Sequence, residues 1–115
     1  MIEDWTKAIL NIVLATSTLV LVAFLWQSTA ILIPLLIAVG FAMYFISPSK
    51  SGIVVYFIAF IFGPLAETIA MRAGAWYYVS PAILGFPFWL PFVWANTGLF
   101  IKNTADLSHI VNFKK

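Results

Sequence analysis

The sequence contains no cysteine and a single histidine, and it carries only six Lys or Arg and four Asp or Glu in 115 residues. Each scarcity excludes something. Without cysteine there are no disulfides and no thiolate metal sites. One histidine, His109 close to the C-terminus, leaves no HExxH pair and no Ser-His-Asp set inside the apolar part of the chain. No acidic cluster and no glycine-rich phosphate loop is present, so neither a metal nor a nucleotide cofactor is expected. The net charge of +2 is too small for a nucleic-acid footprint. No repeat, low-complexity segment or lipidation motif occurs.

What the chain has instead is apolar surface. It is 63% hydrophobic and 9% charged, against about 45–50% and about 25% in ordinary soluble domains. A soluble chain of this length cannot hide that much apolar area, so lipid is the expected solvent. A helix needs about 20 apolar residues to cross a bilayer. Four runs approach that length, at about 8–26, 30–46, 53–71 and 82–101, followed by a tail at 103–115. Pro34 falls in the first turns of the second run, where proline is tolerated. The predicted fold is therefore an all-α polytopic membrane protein, one domain of four transmembrane helices in two hairpins with short loops. The opening MIEDWTKAIL, with two acids and a Trp ahead of the apolar run, reads as the start of a retained helix rather than a cleaved signal.

Four spans put both termini on one side. Lys7, Lys50, Lys102, Lys114 and Lys115 then share that side, and only Arg72 falls on the other. The positive-inside rule assigns the lysine-rich face to the cytoplasm, so both termini are predicted cytoplasmic and the location is the cell membrane. Trp5, Trp26, Tyr44, Trp76, Tyr77 and Tyr78 lie near span ends, where amphipathic rings favour the interface. The tail reads either as a short surface helix capped by Asp106, with Leu107, Ile110 and Val111 on one face, or as a frayed end.

Glu67 lies inside the third run. An acid at mid-helix costs about 3 kcal/mol on insertion scales, so it must be protonated, paired or facing a wet cavity. It lies roughly 21 Å from Ile53 at the helical rise. Gly63 and Pro64 just before it suggest a break, with a helix restarting at Pro64 and the acid in its polar first turn; a plain proline kink is the competing reading. Candidate companions are Arg72, Trp76, Tyr77, Trp89, Trp94 and Asn96, with Glu67 as the catalytic candidate. Arg72 is five residues on, about 140° round an ideal helix, and pairs only if the chain folds back. A Tyr or Trp donor would fix the acid structurally. Counted from a span starting at Ala82, Asn96 lies at a different depth from Glu67, and Asn96-Thr97-Gly98 reads as helix–helix glue.

The residues Glu67, Gly74, Trp76, Tyr78 and Pro81, then Gly85-Phe86-Pro87-Phe88-Trp89-Leu90-Pro91 and Trp94, form an order that resembles membrane carotenoid-biosynthesis proteins of the bisanhydrobacterioruberin hydratase type. The resemblance covers about residues 63–94. It implies that Glu67 protonates an alkene in a greasy pocket. Proteins of that type have more spans, and this chain shows no second acid to match; a homodimer would supply one. Three functions from different classes fit the sequence. One is a non-catalytic subunit of a larger membrane complex, of respiratory or monooxygenase type. The second is an enzyme or binding protein for an isoprenoid-like ligand. The third is a small oligomeric transporter using Glu67. The expected partners are the bilayer and either other membrane chains or further copies of this one, and no nucleic acid.

Overall fold

A computed structural model describes residues 3–111. Four helices follow one another: α1 (Asp4–Leu25), α2 (Thr29–Tyr44), α3 (Lys50–Arg72) and α4 (Leu90–Leu107), with a 3₁₀ turn at Ser108–Ile110. The all-helical expectation is met. α1 and α3 are long and apolar enough to cross a membrane, and α2 is a shorter apolar helix. α3 begins where Ser49 accepts a hydrogen bond from the Gly52 amide at 3.1 Å, a side-chain N-cap. Pro91 stands in the first turn of α4, where its missing N–H costs nothing.

Two boundaries differ from the sequence reading. The fourth run does not become helical at 82; α4 starts at Leu90 and continues to Leu107. Residues 82–89 instead make a tight turn in which Ile83 and Phe86 exchange backbone hydrogen bonds at 2.9 and 2.8 Å. Leu84 and Gly85 both take positive φ, 49° and 92°, the backbone that two-residue hairpin turns require. Pro87 therefore precedes the helix rather than kinking it. At the other end, Asp106 is not a cap but part of the last turn of α4, and the surface-helix tail reduces to one 3₁₀ turn. Residues 112–115 lie outside the described residues.

α4 is the hub, packing on α1, α2 and α3. Its inward face carries two amides seven residues apart, two helical turns along one side. Asn96 Nδ2 donates to the Leu36 carbonyl at 3.0 Å and to Thr18 Oγ1 at 3.3 Å. Asn103 Nδ2 donates to the Met43 carbonyl at 2.8 Å and to Asn11 Oδ1 at 3.1 Å. Asn11 Nδ2 in turn reaches the Phe100 carbonyl at 3.2 Å. Every partner repeats at seven: 11 and 18 on α1, 36 and 43 on α2, 96 and 103 on α4. Gly40 makes room for the upper layer, because a Cβ there would stand 2.7 Å from Asn96 Oδ1.

Polarity in this bundle runs inside out. Asn11, Asn96, Asn103 and Thr18 are buried, while Phe24, Phe41, Phe57, Ile69 and Ile101 face outward. The start of α1 and the 3₁₀ turn after α4 meet at one end of the bundle. His109 Nε2 lies 2.7 Å from Asp4 Oδ2, and Asp106 takes hydrogen bonds from Ser47 and Lys102, both at 2.7 Å. Lys102 also donates to the Ser47 carbonyl. The Asp4 carboxylate and then the Asp106 carbonyl raise the pKa of His109 above its ordinary value. Lys102 and Ser47 lower that of Asp106.

If the buried amides hold α4 to its neighbours, Asn103→Leu lowers the unfolding free energy in detergent by about 1–2 kcal/mol. Ile101→Ala, on the outward face, changes it by less than about 0.5 kcal/mol. Equilibrium unfolding of both variants in one micelle checks the pair.

Candidate functional site

α3 passes through Gly63 and Pro64 without interruption. Of the two readings of Gly63-Pro64, the break is not there: Glu67 does not sit on a helix start, so the dipole rationale for its position fails. Gly63 has a different purpose. A Cβ at that position would lie 2.2 Å from the Trp94 ring, so only glycine lets the indole of α4 lie against α3. Glu67 is one turn further along the same face of α3, and the indole Nε1 donates to Glu67 Oε2. The hydroxyl of Tyr78, from the connection beyond α3, donates to Glu67 Oε1. Each carboxylate oxygen thus has its own donor.

The roles of the three groups follow from their chemistry. An indole N–H can only donate, so Oε2 is an acceptor. Burial, and after it the hydrogen bond and charge of Glu67, push the Tyr78 hydroxyl well above its ordinary pKa. Tyr78 is held in turn by Trp89, edge to face at 6.0 Å between ring centres. Trp89 belongs to a buried cluster with Leu32, Leu36, Met71, Phe86 and Leu90. Thr68 beside the acid turns its hydroxyl to the Pro64 carbonyl at 2.9 Å and takes no part.

The other sequence candidates are dispersed. Arg72 ends α3 exposed, and among the described residues the ion pairs are Lys102–Asp106 and His109–Asp4 only. Tyr77, the candidate of the tyrosine pair, is 80% exposed, and its neighbour Tyr78 does the work. Trp76 is also exposed, at 44%. Asn96 belongs to the interhelical amide layers. Because α4 begins at Leu90, Asn96 lies only roughly 9 Å along it, close to the depth of Glu67. What separates them is direction: Trp94 and Asn96 are two residues apart, on opposite sides of the helix. The sequence offered a Tyr or Trp of the 76–78 loop as a donor to the acid but did not single out Tyr78, and nothing in it marked Gly63 as the slot for Trp94. Asn11 and Asn103 were missed as well, and there the seven-residue spacing of Asn96–Asn103 and Asn11–Thr18 was a usable signal.

Two shallow clefts flank the site. One of about 370 Å³ is lined by Arg72, Tyr77, Tyr78 and Leu84; another of about 360 Å³ by Pro64, Ile83, Phe86 and Phe92. Glu67 lines neither. Among the described residues no three His, Asp or Glu side chains converge on a point where a metal would sit. Chemically, the arrangement is a capped carboxylate that ties the connection, α3 and α4 together. Comparison with family models, curated proteins and solved structures finds no match.

Replacing one carboxylate oxygen by an amide nitrogen, which cannot accept, leaves one of the two aimed donors without its acceptor. Glu67→Gln is expected to lower stability by about 1–3 kcal/mol, and Tyr78→Phe by less, since Trp94 still engages the acid. Thermal unfolding in detergent, followed by Trp fluorescence, measures both. Wild-type stability in Glu67→Gln would show that the carboxylate ties nothing.

Proposed function

We propose that this chain is a four-span integral membrane protein acting as a non-catalytic packing subunit of a larger membrane complex. One observation carries the proposal. The amide nitrogens of Asn96 and Asn103 and both Glu67 oxygens find partners inside the chain, while α1, α2 and α3 present rows of aliphatic and aromatic side chains outward and α4 presents Ile101. A surface of this kind is suited to lipid tails and partner helices and unsuited to water. α2 and α4 fall short of the length test that α1 and α3 pass, but the amides that tie α4 to α1 and α2, with the Trp94–Glu67 bond that ties it to α3, support reading the four as one bundle of spans. The start of α1, the turn after α4 and the α2–α3 turn lie together with Lys50 and Lys102, which favours cytoplasmic termini and the cell membrane.

The capped state of Glu67 bears on the catalytic alternative. A general acid must offer a proton, whereas this carboxylate accepts from two donors and faces neither neighbouring cleft. The isoprenoid-enzyme reading needs Tyr78 or Trp94 to swing away first. The transporter reading needs polar groups along a path, and here the amides are locked between helices.

Gentle detergent extraction followed by native mass spectrometry tests the proposal. The expected result is stoichiometric association with larger membrane chains. A homo-oligomer holding an extractable isoprenoid would select the enzyme or binding-protein reading instead. Proton-coupled uptake lost in Glu67→Gln would select the transporter.

A further inference from the structure

α2 and α3 barely touch. Between them runs a half-open groove of about 500 Å³, floored by Phe92 and Leu99 of α4 and walled by Phe41, Tyr44, Ile53 and Tyr56. That volume lies within the ~300–1,000 Å³ of small-molecule sites. One end is at Tyr44 and Gly52, beside the α2–α3 turn. The other is closed by Phe60 and Phe92, stacked edge to face at 5.1 Å. From Gly52 to Phe60 the groove is roughly 12 Å long, close to the ~15 Å that one leaflet contributes to a ~30 Å hydrocarbon core.

We infer that this groove holds one acyl chain of an anionic glycerophospholipid, with its phosphate at Lys50. The inference rests on the membrane reading above and adds a ligand to it. Three features select this occupant. The Phe60–Phe92 pair divides the groove from the next cleft about halfway along α3, which suits a tail that ends there better than a partner helix about 10–12 Å wide that must continue across. Its lining is almost wholly apolar, which suits a hydrocarbon tail. Its open end lies two residues from Lys50, whose side chain is exposed in the first turn of α3. A lysine at that level attracts the anionic lipids of the cytoplasmic leaflet.

Two variants separate tail from headgroup. Ile53 is 48% exposed on the groove wall, so Ile53→Trp fills the space without disturbing the buried amides. Lys50→Glu reverses the charge at the mouth. Delipidated protein is titrated with palmitoyl-oleoyl phosphatidylglycerol or phosphatidylcholine and read by native mass spectrometry. The expected result is a one-lipid adduct favouring phosphatidylglycerol, weakened about tenfold by Ile53→Trp, with the headgroup preference cut about tenfold by Lys50→Glu. Adducts unchanged in both variants would overturn the site. So would a disulfide between copies bearing Phe41→Cys, which would place a second chain in the groove. Carbonate washing of membranes is run in parallel. A chain released by the wash refutes the membrane reading, whereas a retained chain without the adduct refutes only the groove.

Discussion

The interaction on which this structure depends is hydrogen bonding between polar side chains buried among apolar helices, in which each amide nitrogen of Asn96 and Asn103 reaches a neighbouring helix while their Oδ1 atoms stay unpartnered among the described residues. The amide ladder on α4 is the clearest consequence. Asn96 and Asn103 reach across to backbone carbonyls of α2, and their partners on α1 repeat at the same spacing. In water such amides would gain little by burial. Among apolar helices they are the directional contacts that set register, since aliphatic side chains pack almost equally well against each other or against lipid. The small residues follow from that geometry. Gly40 yields to Asn96, Gly63 to Trp94, and Gly98 to Ala59 and Val55.

The acid obeys the same rule at the other end of the bundle. Glu67 is compensated neither by a cation nor by a helix start but by two neutral donors brought from elsewhere in the chain. One comes from α4 through a glycine slot, and the other from the 73–89 connection. That connection is therefore not a slack loop. The turn at Leu84–Gly85 aims Phe86 and Trp89 into the core, Trp89 supports Tyr78, and Tyr78 meets the acid. Each member rests on the next, so the residues gathered here form a latch between the connection, α3 and α4.

Much of the helical layout was legible because long apolar runs and their polar interruptions are local signals. α1, α2 and α3 fall within a few residues of the runs read from sequence. The start of α4 was not legible, because 82–89 is as apolar as a span, and the positive φ at Leu84 and Gly85 is set by the turn rather than by hydropathy. The Gly-Pro pair stayed open between a break and a plain kink for a related reason. Glycine permits both a break and a close approach, and only the position of Trp94 tells which. Donors to Glu67 were anticipated by type, a Tyr or a Trp, but choosing Tyr78 over Tyr77 needs the path of the connection. The interhelical role given to Asn96 holds, while Asn103 was lost by placing it in the tail.

Because the chain has no cysteine, single-cysteine labelling with a membrane-impermeant maleimide reports sidedness without background. Intact cells and inverted vesicles carrying Ser28→Cys, Ser49→Cys or Tyr77→Cys give the decisive comparison. The account predicts that positions 28 and 77 label from outside and position 49 only from inside. Labelling of all three from the same side would contradict four spans and, with them, the reason for turning every amide inward.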